Sequence, residues 1–341
     1  MSLEFLQVFW FCIIFFALFA FAALDGFDIG VGILHLITKK DEDRRVFLNA
    51  IGPVWDGNAV WLVIVAGALM AGFPKVFASF FSGFYDLWMI LIAGIIFRAV
   101  SIEFRSKAES KTWRSTWDVL FSISSVIMGA TIGFIFANMI TGVPLDANSV
   151  FKGNFKTFFN FYTIEFSISI VTLFAMHGLI YLLMKTEAEL RQHLRRFAMP
   201  LVFFFILTMA ILTLNTWHYQ PHMTHIFRMK PWMISFAVIG VVFTLMILKD
   251  VFLMNMGRAF IWSSIVIMDL FLLCAIGKFP TLVHSSINKN FDLTIYNSSS
   301  SLKTLNVLFY IVVIGTPFVI GYSVWLYKSF RGKVVLDSHS Y

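Results

Sequence analysis

The sequence predicts an all-α polytopic membrane protein with about nine transmembrane helices, and three observations predict it. Of its 341 residues, 59% are hydrophobic and 13% charged, whereas a soluble domain carries about 25% charged residues. The apolar residues gather into nine runs near the ~20 residues that cross a hydrocarbon core as a helix. Lys and Arg collect in alternate connections between those runs, the signature of positively charged cytoplasmic loops. No soluble linker interrupts the pattern, so the chain reads as a single transmembrane domain over residues 1–341.

The runs are, in order, Val8 to Leu36, Val54 to Phe73, Ser79 to Ser101, Trp117 to Ile140, Phe159 to Leu183, Phe197 to Leu214, Trp232 to Leu248, Ala259 to Ile276 and Leu305 to Tyr327. Met1-Ser2-Leu3-Glu4 lacks the basic region of a secretory signal, so the first run is expected to be a retained span. Connections after spans one, three, five, seven and nine hold 17 Lys and Arg, and the opposite set holds eight. This asymmetry puts the N-terminus outside and the C-terminus in the cytoplasm. Residues 277–304, with Asn288, Asn290, Asn297 and Ser298 to Ser301, read as a turn-rich outer loop rather than a tenth span. The net charge of +7 is spread over short connections and reports topology, so no nucleic-acid partner is expected. Cys12 and Cys274 lie inside apolar runs and read as packing residues.

Ionisable side chains within spans cost a few kcal/mol on insertion scales and usually face protein or water. Asp25 and Asp28 share a face of the first span, beside Gly26, Gly30 and Gly32, which permit close approach of a neighbour. Asp56 lies in the first turn of the second span, after Pro53, where the helix dipole favours its anion. The third span carries Asp86 in its outer half and ends with Arg98, Glu103 and Arg105. With the N-terminus outside, Asp28, Asp56, Arg98 and Glu103 lie toward the cytoplasm, and Asp25 sits roughly 16 Å from the end of its helix. Such a ladder of acids suits proton uptake. Equally, Arg98 could pair with Asp56 or Asp28 merely to hold three helices in register. Asp269 in the eighth span is open to both readings, and Asp86 reads as structural.

The segments Leu24-Asp25-Gly26-Phe27-Asp28-Ile29-Gly30-Val31-Gly32 and Trp55-Asp56-Gly57-Asn58 resemble signature segments of subunit II of cytochrome bd-type quinol oxidases. Matches continue in order through Phe80 to Tyr85, Phe97-Arg98, Glu103 to Lys107, Trp113-Arg114, Trp117-Asp118, Phe279-Pro280, Leu293 to Asn297 and Phe330 to Lys333, so the resemblance spans the chain. Ala59 stands where many relatives carry Glu or Gln, and any role of that side chain is not carried over.

The resemblance implies two four-helix bundles plus a peripheral ninth helix: residues 1–141, 158–277 and 305–328, with an outer loop at 278–304 and a cytoplasmic tail at 329–341. It implies a heterodimer in the bacterial inner membrane that oxidises quinol and reduces O2 to water. Haems b and d would be held by subunit I, no cofactor would be ligated by this chain, and the activity would belong to the complex. The chain would support subunit I and supply a proton pathway of Asp56, Asp25, Asp28, Glu103 and Arg98, with Asp56 at its cytoplasmic mouth. Whether a structural quinone or a lipid lies between its helices, or a small accessory subunit joins the complex, stays open.

Haem iron would need facing His or Met ligands, and His177 is the histidine securely within a span. The outer cluster Trp217 to His225 fits no zinc spacing and is broken by Pro221. A proton-coupled secondary transporter would also bury acids in glycine-rich spans, although paired broken helices are not evident in the two halves. A purely structural subunit with inert acids is the third reading.

Overall fold

The computed structural model describes residues 1–336, and residues 337–341 of the tail lie outside the described residues. Twelve α-helices are present among them, and nine are long and apolar enough to cross a membrane. In chain order they are α1 (Leu3–Leu34), α2 (Asp41–Ile51), α3 (Trp55–Gly72), α4 (Pro74–Gly83), α5 (Tyr85–Phe104), α6 (Lys111–Thr141), α7 (Phe161–Lys185), α8 (Ala188–Tyr219), α9 (Pro221–Met229), α10 (Ile234–Phe252), α11 (Met256–Lys278) and α12 (Leu302–Ser329).

Local chemistry accounts for many of these boundaries. Ser2, Ser110 and Ser301 cap α1, α6 and α12 by accepting from the backbone of Phe5, Trp113 and Thr304, and Asn160 forms a reciprocal box with Thr163 at α7. Pro74 and Pro221 open α4 and α9, where a missing N–H costs nothing. The helices α2, α4 and α9 are too short to span. On α2, Asp41, Glu42 and Asp43 occupy the first turn while Phe47, Leu48 and Ile51 are buried, so it lies along the membrane surface against the bundle.

Several span boundaries differ from the sequence expectation. The third span begins at Tyr85 rather than Ser79, because Phe84 leaves helical geometry and separates α4 from α5. The sixth helix starts at Ala188, ahead of the expected Phe197, since the charged turns of residues 189–196 continue the helix beyond the hydrocarbon.

The spans form two four-helix groups, α1, α3, α5, α6 and α7, α8, α10, α11, joined where α7 packs on α1 and α6, with α11 also against α1. At the crossing of α1 and α7, a Cβ on Gly30 would overlap the Phe174 carbonyl, and one on Gly178 would overlap the backbone of Gly30. Glycine is what lets these two backbones touch. The ninth span, α12, packs on α1 and α3 and leaves most of its surface open, including Phe318, Tyr322 and Trp325.

On the N-terminal side, residues 278–304 fold over the helix ends instead of remaining a loose loop. Strands β1 (Thr281–Val283) and β2 (Leu293–Thr294) pair antiparallel. Val143 N–H donates to His284 O and Ser286 N–H to Val143 O, both at 3.0 Å, and Ser300 holds the end of α3 through Ala71 O and Gly72 O.

Candidate functional site

Between α1, α3 and α5 the membrane interior contains a buried polar site. One turn of α1 sets Asp25 and Asp28 on a common face, and they are 1% and 0% exposed. Arg98 reaches in from α5 and donates from Nη2 to Asp25 Oδ1 at 2.6 Å. Asn58 on α3 donates from Nδ2 to Asp28 Oδ2 at 2.8 Å and to Leu24 O at 3.3 Å. Its own Oδ1 accepts from Tyr327 Oη of α12 at 2.8 Å. The site therefore ties the peripheral helix to the first bundle.

Its charges do not balance. Two carboxylates face one guanidinium, and Asp25 Oδ2, Asp28 Oδ1, Arg98 Nε and Arg98 Nη1 are buried without a protein partner. Desolvating such groups unpaired costs several kcal/mol per ion, so water or a proton is needed to complete them. One bound proton would neutralise the cluster, which is the chemistry of a proton-holding site.

Arg98 thus pairs with Asp25, not with Asp56 or Asp28. Asp56 is exposed on α3 and does not join the buried site. The reason is helical phase: residues 56 and 58 are roughly 200° apart around the axis, so when Asn58 faces α1, Asp56 faces away. Glu103 is exposed at the end of α5, and Asp86 is exposed at its start. Asp269 is buried in α11, with its carboxylate against Gly240 of α10.

A second polar cluster was not picked out from the sequence. At the C-terminal side of the first bundle, buried Asp118 accepts from His35 Nε2 at 2.6 Å, Arg105 Nε at 2.6 Å and Arg44 Nη1 at 3.0 Å. Arg105 and Arg114 both reach Asp41 of α2, at 2.7 and 3.2 Å. These bonds fasten α2 and the start of α6 to the end of α1. Arg114 and Asp118, four residues apart on α6, were the available signal; His35 gave none, since it sits at the end of an apolar run.

His177, His222 and His284 are engaged in hydrogen bonds. His177 Nε2 donates to Ala23 O at 3.0 Å, its Nδ1 lies 2.7 Å from Ser263 Oγ, and the ring stacks on Phe260. His222 Nε2 donates to Ile140 O at 2.7 Å and its ring stacks on His284, whose Nδ1 bonds Asp292 at 2.9 Å. Among the described residues no group of three His, Cys, Asp or Glu side chains converges on a metal-sized space. Between α6, α7, α8, α9 and α11 lies an apolar cavity of about 250 Å³, walled by Phe136, Tyr162, Phe166, Met209, Trp217 and Phe271.

A multi-pass helical membrane protein with unbalanced acids buried between its spans is the class defined by this fold and site, a class shared by respiratory-complex subunits and proton-coupled carriers. Comparison with known proteins separates the two. The family model for cytochrome bd terminal oxidase subunit II matches residues 6–330, and the chain belongs to that family. It is 31% identical to cytochrome bd-I ubiquinol oxidase subunit 2 of Escherichia coli K12, over 98% of this chain and 96% of that protein. It is also 31% identical to cytochrome bd ubiquinol oxidase subunit 2 of Bacillus subtilis, over 95% and 96%. The structure of the bd oxidase from Geobacillus thermodenitrificans has the same fold, with a TM-score of 0.77 at 19% identity over 95% of this chain and 98% of that one.

The protein is therefore a multi-pass subunit of a cytochrome bd quinol oxidase complex, an oxidoreductase whose haems are carried by its partner, subunit I. The transporter reading finds no support among these relatives.

Proposed function

We propose that this chain is the haem-free half of the oxidase, supporting subunit I and delivering protons from the cytoplasm toward their shared interface. Asp56 at the start of α3 and Glu103 at the end of α5 would gather protons on the cytoplasmic side of the first bundle, and Asp28 and Asp25 would hold them within the membrane. Arg98 would keep the Asp25 carboxylate in place through a charge-assisted bond. The observation that carries this reading is the buried pair of acids facing one cation, each acid with one bonded and one free oxygen. The loop-charge asymmetry supports an external N-terminus and a cytoplasmic C-terminus in the bacterial inner membrane. Residues 1–341 would act as one transmembrane domain.

The ubiquinol named for the Escherichia coli and Bacillus subtilis relatives makes a quinol of that type the substrate to try first. The apolar cavity in the second bundle suits an isoprenoid or acyl tail, so a structural quinone or a lipid would fit there.

The test is Asp28→Asn and, separately, Asp56→Asn in the two-subunit complex, with haem content and oxygen consumption followed from pH 6 to 9. Slower oxygen reduction with normal haem content is expected for both. Wild-type turnover across that range would eliminate the proton role and leave a purely structural subunit.

A further inference from the structure

The cations on the C-terminal side of the membrane fall into two groups with opposite compensation. In the first bundle Arg44, Arg105 and Arg114 are met by Asp118 and Asp41. In the second bundle and the tail, residues 185–196 and 328–341 carry Lys185, Arg191, Arg195, Arg196, Lys328, Arg331 and Lys333 against Glu187, Glu189 and Asp337. Glu189 is already engaged by Lys40 at 2.8 Å.

Two of these cations, Lys185 and Lys333, are drawn together by backbone geometry, and Arg191 lies at the start of α8 near enough to Lys333 to repel it. After α12 the chain turns back across the end of α7, where Val334 N–H donates to Lys185 O at 3.0 Å. Lys185 Nζ donates to Phe330 O at 2.7 Å, and Lys333 Nζ donates to Thr186 O at 2.9 Å. This reciprocal clasp satisfies hydrogen bonds but, carbonyls being neutral, adds no counter-charge; the Tyr181 ring 5.7 Å from Lys185 Nζ and the carboxylate of Glu187 near Lys333 offset only part of the positive charge. Lys333 is repelled by Arg191, and Lys185 by Lys333. Arg191 Nε is buried without a partner in the protein, and among the described residues none of the three cations makes a salt bridge.

We propose that Lys185, Arg191 and Lys333 form a cradle for the phosphate of an anionic phospholipid headgroup. Two ammoniums and a guanidinium offer the charge-assisted donors that phosphate oxygens accept, and basic pockets at helix ends are where such headgroups bind. The level is right, because α7 ends at Lys185 and α12 at Ser329, so the clasp lies where hydrocarbon gives way to headgroups. Lipid is favoured over free phosphate by the surface leading to the cradle. Phe318, Tyr322 and Trp325 of α12 are exposed on this chain, with the Tyr and Trp suited to the membrane interface.

The test uses the intact two-subunit complex, delipidated in detergent and titrated with phosphatidylglycerol or phosphatidylcholine, with bound lipid read by native mass spectrometry. The triple variant Lys185→Gln, Arg191→Gln, Lys333→Gln is expected to bind phosphatidylglycerol at least tenfold more weakly than wild type, from about a factor of five per basic residue. A charge-matched variant, Arg195→Gln, Arg196→Gln, Lys328→Gln, should bind like wild type. Should the triple variant lose its haem spectrum, Lys333→Gln alone is measured and is expected to weaken binding several-fold. Equal losses in the two triple variants, equal binding of phosphatidylcholine, or displacement by millimolar inorganic phosphate would each overturn the proposal, as would an unweakened Lys333→Gln.

Discussion

Replacing Arg98 by Gln removes the sole cation bonded to the buried pair Asp25 and Asp28. Arg98 and Asp25 are each 1% exposed and meet at 2.6 Å, so neither charge can recover solvation in place. Removing one partner of such a pair costs about 3–5 kcal/mol, because it strands the other ion in a poorly polarisable interior. Here two carboxylates are stranded, which sets the expectation at the upper end of that range. The double substitution Asp25→Asn, Arg98→Gln removes one of the two stranded charges, while Asp28 keeps its bond from Asn58. It should therefore be more stable than Arg98→Gln alone, with a coupling of at least about 1 kcal/mol. The assay is thermal denaturation of the purified complex followed by the haem spectrum, at one scan rate because membrane complexes unfold irreversibly. If Arg98→Gln denatures within a degree of wild type, or if the two effects simply add, the electrostatic account of this site is wrong.

Asp118→Ala leaves buried His35 without its carboxylate and leaves Arg105 with Asp41 alone and Arg44 with Thr38 O alone; it should cost about 3 kcal/mol, read as a lower denaturation midpoint and faster proteolysis near α2. Gly178→Val drives a side chain into the backbone of Gly30 and should abolish assembly, seen as loss of the two-subunit complex in detergent extracts, whereas Gly67→Ala, with open space around it, should assemble normally. On the N-terminal side, burial holds the His222 imidazole below its ordinary pKa, with His284 and Lys278 adding repulsion against the attraction of Asp292. The folded segment thus binds this proton less readily than the unfolded one, so its stability is complete above about pH 6.5 and declines as pH falls. Hydrogen-exchange protection of the Val143 and Ser286 amides, corrected for intrinsic rate, should drop between pH 7 and pH 5, and His222→Gln should flatten that dependence.

The spans were legible because a bilayer imposes a length and an apolar composition that each helix must satisfy by itself. The break at Phe84 was hidden because the second half of α4, Ser79 to Gly83, carries no charge and runs into the apolar span after it, so composition could not mark where one helix ended. The acids of α1 were legible for the opposite reason, as exceptions to that composition. Which partner each would take was not, because Arg98 lies within reach of several carboxylates in sequence terms and only the rotation of α3 and α5 about their axes selects Asp25. Asp56 shows the same limit: its type and depth fitted the site, while its helical phase turned it outward. The Asp118 cluster escaped notice because its members come from α1, α2, α5 and α6, in connections where charge is ordinary.

Charge accounting across the molecule links these features. At the membrane surface of the first bundle, Asp118 and Asp41 meet Arg44, Arg105 and Arg114 within the chain and fasten helices. Deeper in the same bundle, two acids share one arginine, a deficit of one positive charge that a proton can supply without the desolvation cost of a larger ion. In the second bundle the imbalance reverses, with lysine and arginine exceeding carboxylate beside the headgroup region, where anionic lipid is the abundant counter-charge. Each uncompensated set thus faces the carrier of opposite charge that its own depth in the bilayer makes accessible. Interchanging the two would fail on sign alone, since a phosphate would be repelled by Asp25 and Asp28 and a proton would add to the positive charge of the clasp at Lys333.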